Sequence, residues 1–512
     1  MTGGPHVPDR PAVRRTGCFS VRPHALLGAA TQSTHRATRQ RARRDSGHRC
    51  PRAHRRDHDG RRLRDARRAT AGAGRRADHR SSHRATRHDR ARRAKARRCG
   101  PRTIWRSSRA VRRVHDRAPR HHDCRRGLDA VTRAAVILAL ALGAACKPPK
   151  PGDPLRGLSK AERARFDSGR AVFDSTFTPA TGLGPLFNAS GCGECHEDPV
   201  TGGVGDEVER HAAVFNPQRI GFVCDQLADK GGPVFQNSVT PALHAALGID
   251  SEPLPPGVTA VAARTTPDVL GFGLLDAVSD SVILSYADPD DRNHDGISGR
   301  PNRFVDGRLG RFGRKAFVPT LREFNDGAFP VEVGVTDSSA RDENTVTGRP
   351  LPPGTDPVPE PELNTRALVL NDAFVRMLAP PAPLKQSREA RHGREVFAQV
   401  GCTGCHVPVL KTGDNPIAAL SHKDVAAYSD LLLHDMGDEL ADICFGLATP
   451  SEFRTEPLMG LRFSSHFLHD GRATTPEQAI DFHAGEASRS RDLFRALSPS
   501  DHAALVAFLK TL

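Results

Sequence analysis

Tryptophan is nearly missing from this 512-residue chain: Trp105 stands alone against 23 phenylalanines, and tyrosine occurs twice. Downstream of Cys146 there is no tryptophan, so no indole can relay an electron or hold a radical in that region. Long hydrophobic runs are missing too. The apolar stretch from Ala134 to Ala145 covers about 18 Å as a helix, short of a bilayer core of roughly 30 Å. Lysine occurs once in the first 130 residues, at Lys95. Acidic groups are equally sparse there: residues 1–146 hold 10 of the 59 Asp and Glu but 39 of the 75 Lys and Arg. Residues 1–130 show no sustained apolar periodicity, which excludes a packed core.

The remaining residues, 147–512, carry 36 basic and 49 acidic side chains, so the part able to fold is acidic although the whole chain sums to +16. A basic tail can hold nucleic acid through phosphates. A Lys-poor mixture of Arg, Ala, Gly, Pro and His is instead what GC-rich codons give in an unselected frame. Residues 1–130 are therefore read as a disordered extension or a start assigned too early, and no nucleic-acid partner is expected.

What the chain does have is Cys192-Gly193-Glu194-Cys195-His196 and Cys402-Thr403-Gly404-Cys405-His406. Cys-x-x-Cys-His is the spacing of covalent c-type haem attachment. Two thiols add to the porphyrin vinyls and the adjacent His becomes the proximal iron ligand. One pentad alone would leave a zinc or disulfide site open; two in matching surroundings point to two c-type haems. Gly169-Arg170-Ala171-Val172-Phe173 precedes the first and Gly393-Arg394-Glu395-Val396-Phe397 the second. Downstream, Arg264-Thr265-Thr266-Pro267 answers Arg454-Thr455-Glu456-Pro457. Similarity in fixed order at long spacing indicates repeated units. The expected fold is mainly α: two cytochrome-c-like helical domains in tandem, 155–385 with inserted loops and 386–512, each around one haem, with long irregular connections. A last helix fits, with Ser498 as cap, Pro499 at its first position and Leu505, Phe508, Leu509 and Leu512 on one stripe.

Residues 131–146 read as a secretory signal: Arg133, the short apolar run, then small residues before a cysteine. Leu142-Gly143-Ala144-Ala145-Cys146 resembles a bacterial lipobox, with Gly where a larger aliphatic is usual. A lipid anchor at Cys146 and a periplasmic location are expected, with Lys147 to Asp153 as a tether. Of the 11 cysteines, Cys224 and Cys444 remain, one per half, free to pair with each other or to stand apart as buried thiols.

Four further motifs carry a family resemblance: Gly182-Leu183-Gly184-Pro185-Leu186-Phe187-Asn188, Asp295-Gly296-Ile297-Ser298-Gly299-Arg300, Leu431-Leu432-Leu433-His434-Asp435-Met436-Gly437 and Leu468-His469-Asp470-Gly471-Arg472-Ala473. Together they resemble the di-haem oxidoreductase family, relatives of bacterial di-haem cytochrome c peroxidases and methylamine-utilisation di-haem enzymes. The resemblance implies electron entry at one haem and reduction of peroxide at the other, with a small cytochrome or a cupredoxin as donor. It also implies a distal ligand on the helix after His-x-Gly, where Thr475-Pro476-Glu477-Gln478-Ala479-Ile480-Asp481-Phe482-His483 places His483. Thr475 and Gln478 are expected to form a capping box there. His406 and His483 are thus expected on the second iron, with Met436 and Met459 as rivals and His434 and His469 lining the pocket. Superposing the repeats sets Ser281 opposite His483, leaving the first iron, on His196, with one open face. His211 lies about where the resemblance puts a distal His; Glu209 and Asp276 are further candidates for moving a proton during O–O cleavage. Family members commonly carry Trp at the position of Arg314, so electrons here would use Phe272, Phe304, Phe312, Tyr286, propionates or direct haem proximity.

Between the halves, Asp291, Asn293 and Asp295 alternate before Gly296, with the Ile297 carbonyl next and Asn302 at position twelve. Oxygen ligands in this order suit one Ca²⁺, and Asp288 or Asp290 could add a carboxylate.

Overall fold

The computed structural model describes residues 148–219 and 223–512. The Arg-rich extension, the signal segment and Cys146 lie outside the described residues.

Helix α1, Lys160–Phe173, starts at a reciprocal box: the Ser159 hydroxyl accepts the Glu162 amide at 3.2 Å, and the Glu162 carboxylate accepts the Ser159 amide at 2.6 Å. Two orphan donors of the first turn are thereby satisfied. The helix packs on α4, Thr365–Met377; in the second half α5, Arg388–Gln399, packs in the same manner on α8, Pro499–Leu509. Both crossings are made at the glycine of the repeated Gly-Arg-x-Val-Phe. A Cβ on Gly169 would meet the Leu370 carbonyl oxygen at 2.0 Å, and one on Gly393 the Ala504 carbonyl oxygen at 1.8 Å. Only hydrogen lets the backbones approach this closely. Ser498 caps α8 as expected, accepting the Asp501 amide at 3.2 Å, and Leu505, Phe508, Leu509 and Leu512 are buried.

Short strands stand among the helices. Among the described residues, β1, Val208–Phe215, is the centre of a three-stranded antiparallel sheet with β2, Cys224–Asp225, and β3, Ala260–Thr265. Its register sets Glu209 opposite Arg264 and His211 opposite Ala262. Because strand side chains alternate, Glu209 and His211 share one face. A small hairpin pairs β4, Leu433–Asp435, with β5, Glu452–Arg454. Shorter helices, α2 (Phe272–Asp276), α3 (Leu321–Ala328), α6 (Pro476–Asp481) and α7 (Ser488–Arg495), punctuate long irregular segments.

The largest apolar cluster draws on both halves, joining Phe166, Phe173, Leu275, Phe312 and Phe374 to Leu410, Leu420, Leu431 and Met459. Cys224 and Cys444, left open by the sequence, are disulfide-bonded across 220 residues and fix the sheet to the second half. The tether expected up to Asp153 is shorter than that. Gly152 is buried, with its carbonyl taken by Arg170, and the Leu155 amide donates to the Met377 carbonyl at 2.8 Å, so the chain is docked by that point.

Candidate haem sites

Both pentads present two unpaired thiols and one anchored imidazole. Cys192, Cys195, Cys402 and Cys405 form no disulfide. Burial raises all four thiols above their ordinary range, to about 12 for Cys192 and Cys402, which keeps them neutral. His196 Nδ1 lies 3.1 Å from the Gly203 carbonyl, and His406 Nδ1 lies 2.8 Å from the Tyr428 carbonyl. Such a bond fixes the proton on Nδ1 and leaves Nε2 as the free donor, the usual support of a metal-ligating His. Burial lowers both imidazoles, His406 to about 4, so both are neutral at pH 7. The repeated Phe of each half stands beside its own imidazole, Phe173 at 5.8 Å from His196 and Phe397 at 6.2 Å from His406. This donor set fits c-type haem in both halves.

The second pentad opens into a cavity of about 280 Å³. His406, Cys402 and Cys405 line it together with His483, Met436 and Met459, so the structure brings the expected ligand and both rivals to one space. His483 lies just past the end of α6, its Nδ1 held 2.7 Å from the Ala479 carbonyl and its basicity lowered by burial. It therefore repeats the tautomer of His406 from another wall. The cap of α6 is only half as expected: Thr475 accepts the Gln478 amide at 3.2 Å, but Gln478 Oε1 accepts from Thr474, at 2.8 Å from its amide.

His434 and His469 also line this cavity. His434 is buried between Asp430 Oδ2 at 2.8 Å and Glu486 Oε2 at 2.9 Å. Burial opposes its charge, yet these carboxylates and Cys405 raise its pKa well above the ordinary value. Both ring nitrogens are thus protonated, and neither is left for iron. Neither clamp residue was expected; Asp430 precedes the Leu-Leu-Leu-His motif and Glu486 follows His483, but no local pattern joins them.

The first site is bordered by carboxylates. Glu209 Oε2 lies 2.7 Å from His211 Nε2 on the shared face of β1. Glu332, which the sequence reading missed, accepts Asn188 Nδ2 at 2.8 Å. The charges of Glu209 and Glu332 are both felt at Cys195, and that of Glu209 at His196. Asp276 is not part of this group. Its Oδ1 accepts the Leu321 amide at 2.8 Å, capping α3, and its Oδ2 pairs with Arg376. Its two oxygens are engaged at a helix end and in an ion pair.

The first half also contributes to the second cavity. His196 is held at the Gly203 carbonyl, and the neighbouring Val204, Gly205, Thr265, Thr266, Pro267 and Asp268 line the cavity on His406. Arg314 lines it too, paired with Glu456 at 3.1 Å. Phe272, Phe304, Phe312 and Tyr286 do not; the aromatic lining comes from Phe397, Phe453 and Phe467.

In the loop before Arg300, Gly296 donates to Asp291, Asp295 to Asn293 at 3.0 Å, and Ile297 to Asp295 at 2.9 Å. Asn302 is removed from any ligand role at position twelve: it is fully buried, donating to the Lys315 and Phe445 carbonyls at 2.7 and 3.0 Å. Four carboxylates converge elsewhere, Glu343, Asp356, Glu360 and Glu362, within 4.8 Å of one another. Burial, with the charges of Asp356 and Glu362, pushes Glu343 up to about 8 although its bond to Glu360 opposes the rise. A carboxyl raised in the folded state stabilises the fold below its unfolded pKa and loses that contribution as pH rises through the folded value. Thermal stability is therefore expected to fall between about pH 5 and 9, and Glu343→Gln to flatten that slope in melts followed across the range; parallel slopes would contradict it.

The chain belongs to the di-haem oxidoreductase family. The family model described as "Di-haem oxidoreductase, putative peroxidase" matches residues 249–512. A cytochrome-c peroxidase of Denitromonas iodatirespirans, IdrP2, is 28% identical over 153 residues, covering 24% of this chain and 39% of that protein. The chain thus spans about two fifths of the length of that curated relative. Among solved structures, a MauG-like protein associated with microbial copper homeostasis is 16% identical, covering 72% of this chain and 93% of its own, with a TM-score of 0.32. The diheme peroxidase BthA of Burkholderia thailandensis is also 16% identical, covering 69% and 86%, with a TM-score of 0.31. Among the described residues, no helix is long and apolar enough to cross a membrane.

Proposed function

We propose that this protein is an exported c-type di-haem peroxidase, taking electrons at the site of His406 and reducing peroxide at the site of His196. The reading rests on one asymmetry: His483 faces the same cavity as His406, whereas the repeat places Ser281 at the corresponding position of the first half. Haem bound in both sites would supply one-electron chemistry, with an open face required wherever peroxide is to bind. The chain's residues do the rest. Cys192, Cys195, Cys402 and Cys405 hold the two groups covalently, and the Gly203 and Tyr428 carbonyls orient the proximal imidazoles. Glu209 and His211 stand where a proton is needed.

The two halves act as cytochrome-c-like units, 155–385 and 386–512, supported by the matching glycine crossings at Gly169 and Gly393. Covalent haem attachment requires export, so residues 131–146 serve as the signal. Cys146 carries the lipid on the periplasmic side, and a small cytochrome or cupredoxin is the donor. One Ca²⁺ is held by Asp291, Asn293, Asp295 and the Ile297 carbonyl, whose side chains already fold back on amides in the order of a cation loop. The Ile297 side chain lies against Gly404 of the second pentad, so that loop borders the electron-entry site.

The resting ferric protein is expected to show one high-spin and one low-spin haem. His483→Ala should abolish the low-spin signal of the second haem while leaving the first unchanged. Two low-spin haems indifferent to peroxide and cyanide would make the protein a carrier, and an unchanged spectrum in the variant would remove His483 from the iron.

A further inference from the structure

We propose that an apolar cavity beside Pro149 seats one acyl chain of the lipid carried by Cys146, which fixes the face this protein turns to the membrane. This rests on the lipid-anchored reading of Cys146 and names where the anchor's amine-linked chain lies.

The cavity measures about 440 Å³ and lies where the first described residues, the connection between the halves and the C-terminus come together. Leu155, Leu274, Pro380, Pro381, Met459 and Leu512 form apolar walls, and Pro149 lines it with them. Backbone bonds hold these walls in place. The Lys150 amide donates to Asp153 Oδ2 at 2.8 Å, and the Asp153 amide returns to the Lys150 carbonyl at 3.0 Å. The Leu155 amide donates to the Met377 carbonyl at 2.8 Å and the Ala379 amide to the Asp153 carbonyl at 3.0 Å, so this segment runs antiparallel to the one leading into Pro380. Arg462 ties the C-terminus to the same connection, donating to the Leu512 carbonyl and, at 3.0 Å, to the Ala382 carbonyl. Proline and alanine side chains on pinned backbone are too short to fold inward and fill the space.

Reach and chemistry together choose the occupant. Cys146 precedes Pro149 by three residues, at most about 10 Å of extended chain. Pro148 and Pro149 each have a fixed φ, which keeps this stretch stiff. An acyl chain on Cys146 therefore reaches the cavity with the docked segment left as it is. The volume falls within the range of about 300–1,000 Å³ found for ligand pockets. A hydrocarbon needs no hydrogen-bond partner from such walls, whereas a polar ligand left unpaired there is penalised. The charged lining residues are Arg156, Lys423 and Asp424. Asp424 is paired with Lys411 at 2.8 Å, which leaves the rim cationic and suited to an anionic lipid surface. Stable anchoring takes more than one acyl chain, and the diacylglyceryl group on the Cys146 sulfur supplies it in the bilayer. Leu458 and Met459 line both this cavity and that of His406. The seated chain thus packs against a wall of the second haem site and turns that site toward the membrane.

The test uses the full-length haem-loaded protein from a cytochrome-maturing bacterial host fed a diazirine-bearing fatty acid, placed in phosphatidylethanolamine–phosphatidylglycerol nanodiscs. After illumination, peptide mapping is expected to join the Cys146 acyl chain to peptides containing Leu155, Pro380 or Leu512. Ala382→Phe fills the cavity from the connection between the halves and should abolish that product while Cys146 stays lipidated. Removing the lipid by Cys146→Ser should lower the melting temperature, because a seated chain stabilises only the folded state; in the Ala382→Phe background that difference should vanish. If Ala382→Phe does not fold, Ala426→Phe closes the same cavity from the second half. Lipidated wild type whose chain crosslinks only to bilayer lipid overturns the seat and leaves the anchor reading standing. Labelling of the cavity by a photoreactive phospholipid, with none from the Cys146 chain, assigns it to free lipid and overturns the seat as well. A mature N-terminus without lipid, seen by intact mass, sinks the anchor reading and the seat together.

Discussion

Asp442→Ala is expected to destabilise the protein by about 3–5 kcal/mol, the range for leaving a buried charge without its partner. Asp442 is almost inaccessible and lies between two buried cations, 2.6 Å from Arg264 Nη2 and 2.7 Å from Lys315 Nζ. Both attractions outweigh the burial that would otherwise raise its pKa, so the carboxyl stays ionised. Lys315 is lowered to about 8 by burial and remains mostly charged at pH 7. Removing the carboxylate strands two cations at once. Arg264 stands opposite Glu209 in the sheet register, so it would be drawn toward that carboxylate and disturb the first haem site as well. Denaturant unfolding should give decreasing stability in the order wild type, Asp442→Asn, Asp442→Ala. An alanine variant as stable as wild type would mean that the cations find water in the folded state.

The second large effect is expected at the helix crossings. Gly393→Ala places a methyl 1.8 Å from the Ala504 carbonyl oxygen and 2.9 Å from the Leu505 amide nitrogen, both backbone atoms that cannot swing aside. α5 and α8 must separate, at a cost of about 3 kcal/mol, the upper end of the usual range for overpacking. Gly169→Ala meets the Leu370 carbonyl in the same way and should cost a similar amount. Because Phe397 packs on Phe508 at 5.4 Å and faces His406, separating the second pair should also lower haem occupancy in that half. Thermal melts and haem-to-protein ratios check both; wild-type melting in the two variants would contradict the close crossing.

Much of this site was legible from local spacing alone. Thioether attachment needs two thiols and an imidazole within five residues, so Cys192 to His196 and Cys402 to His406 declare themselves without any fold. The glycine of Gly-Arg-x-Val-Phe, the Ser498 cap and the apolar stripe of the last helix are likewise written within one or two turns. His483 was found through its place after His-x-Gly, and the structure sets it in the cavity of His406.

What the linear pattern could not decide was which polar groups meet. Asp276 and Asn302 look like functional oxygens in sequence, yet one caps α3 and the other is buried among carbonyls. Glu332 looks like nothing, yet packing sets its carboxylate 2.8 Å from Asn188 Nδ2, 144 positions earlier in the numbering. The clamp of Asp430 and Glu486 on His434, and the bond between Cys224 and Cys444, are equally products of how the halves share one core. A hydrogen bond or ion pair depends on separations of a few ångströms. Such separations between remote segments are set by the packing of whole helices and strands, to which no short period in the chain corresponds.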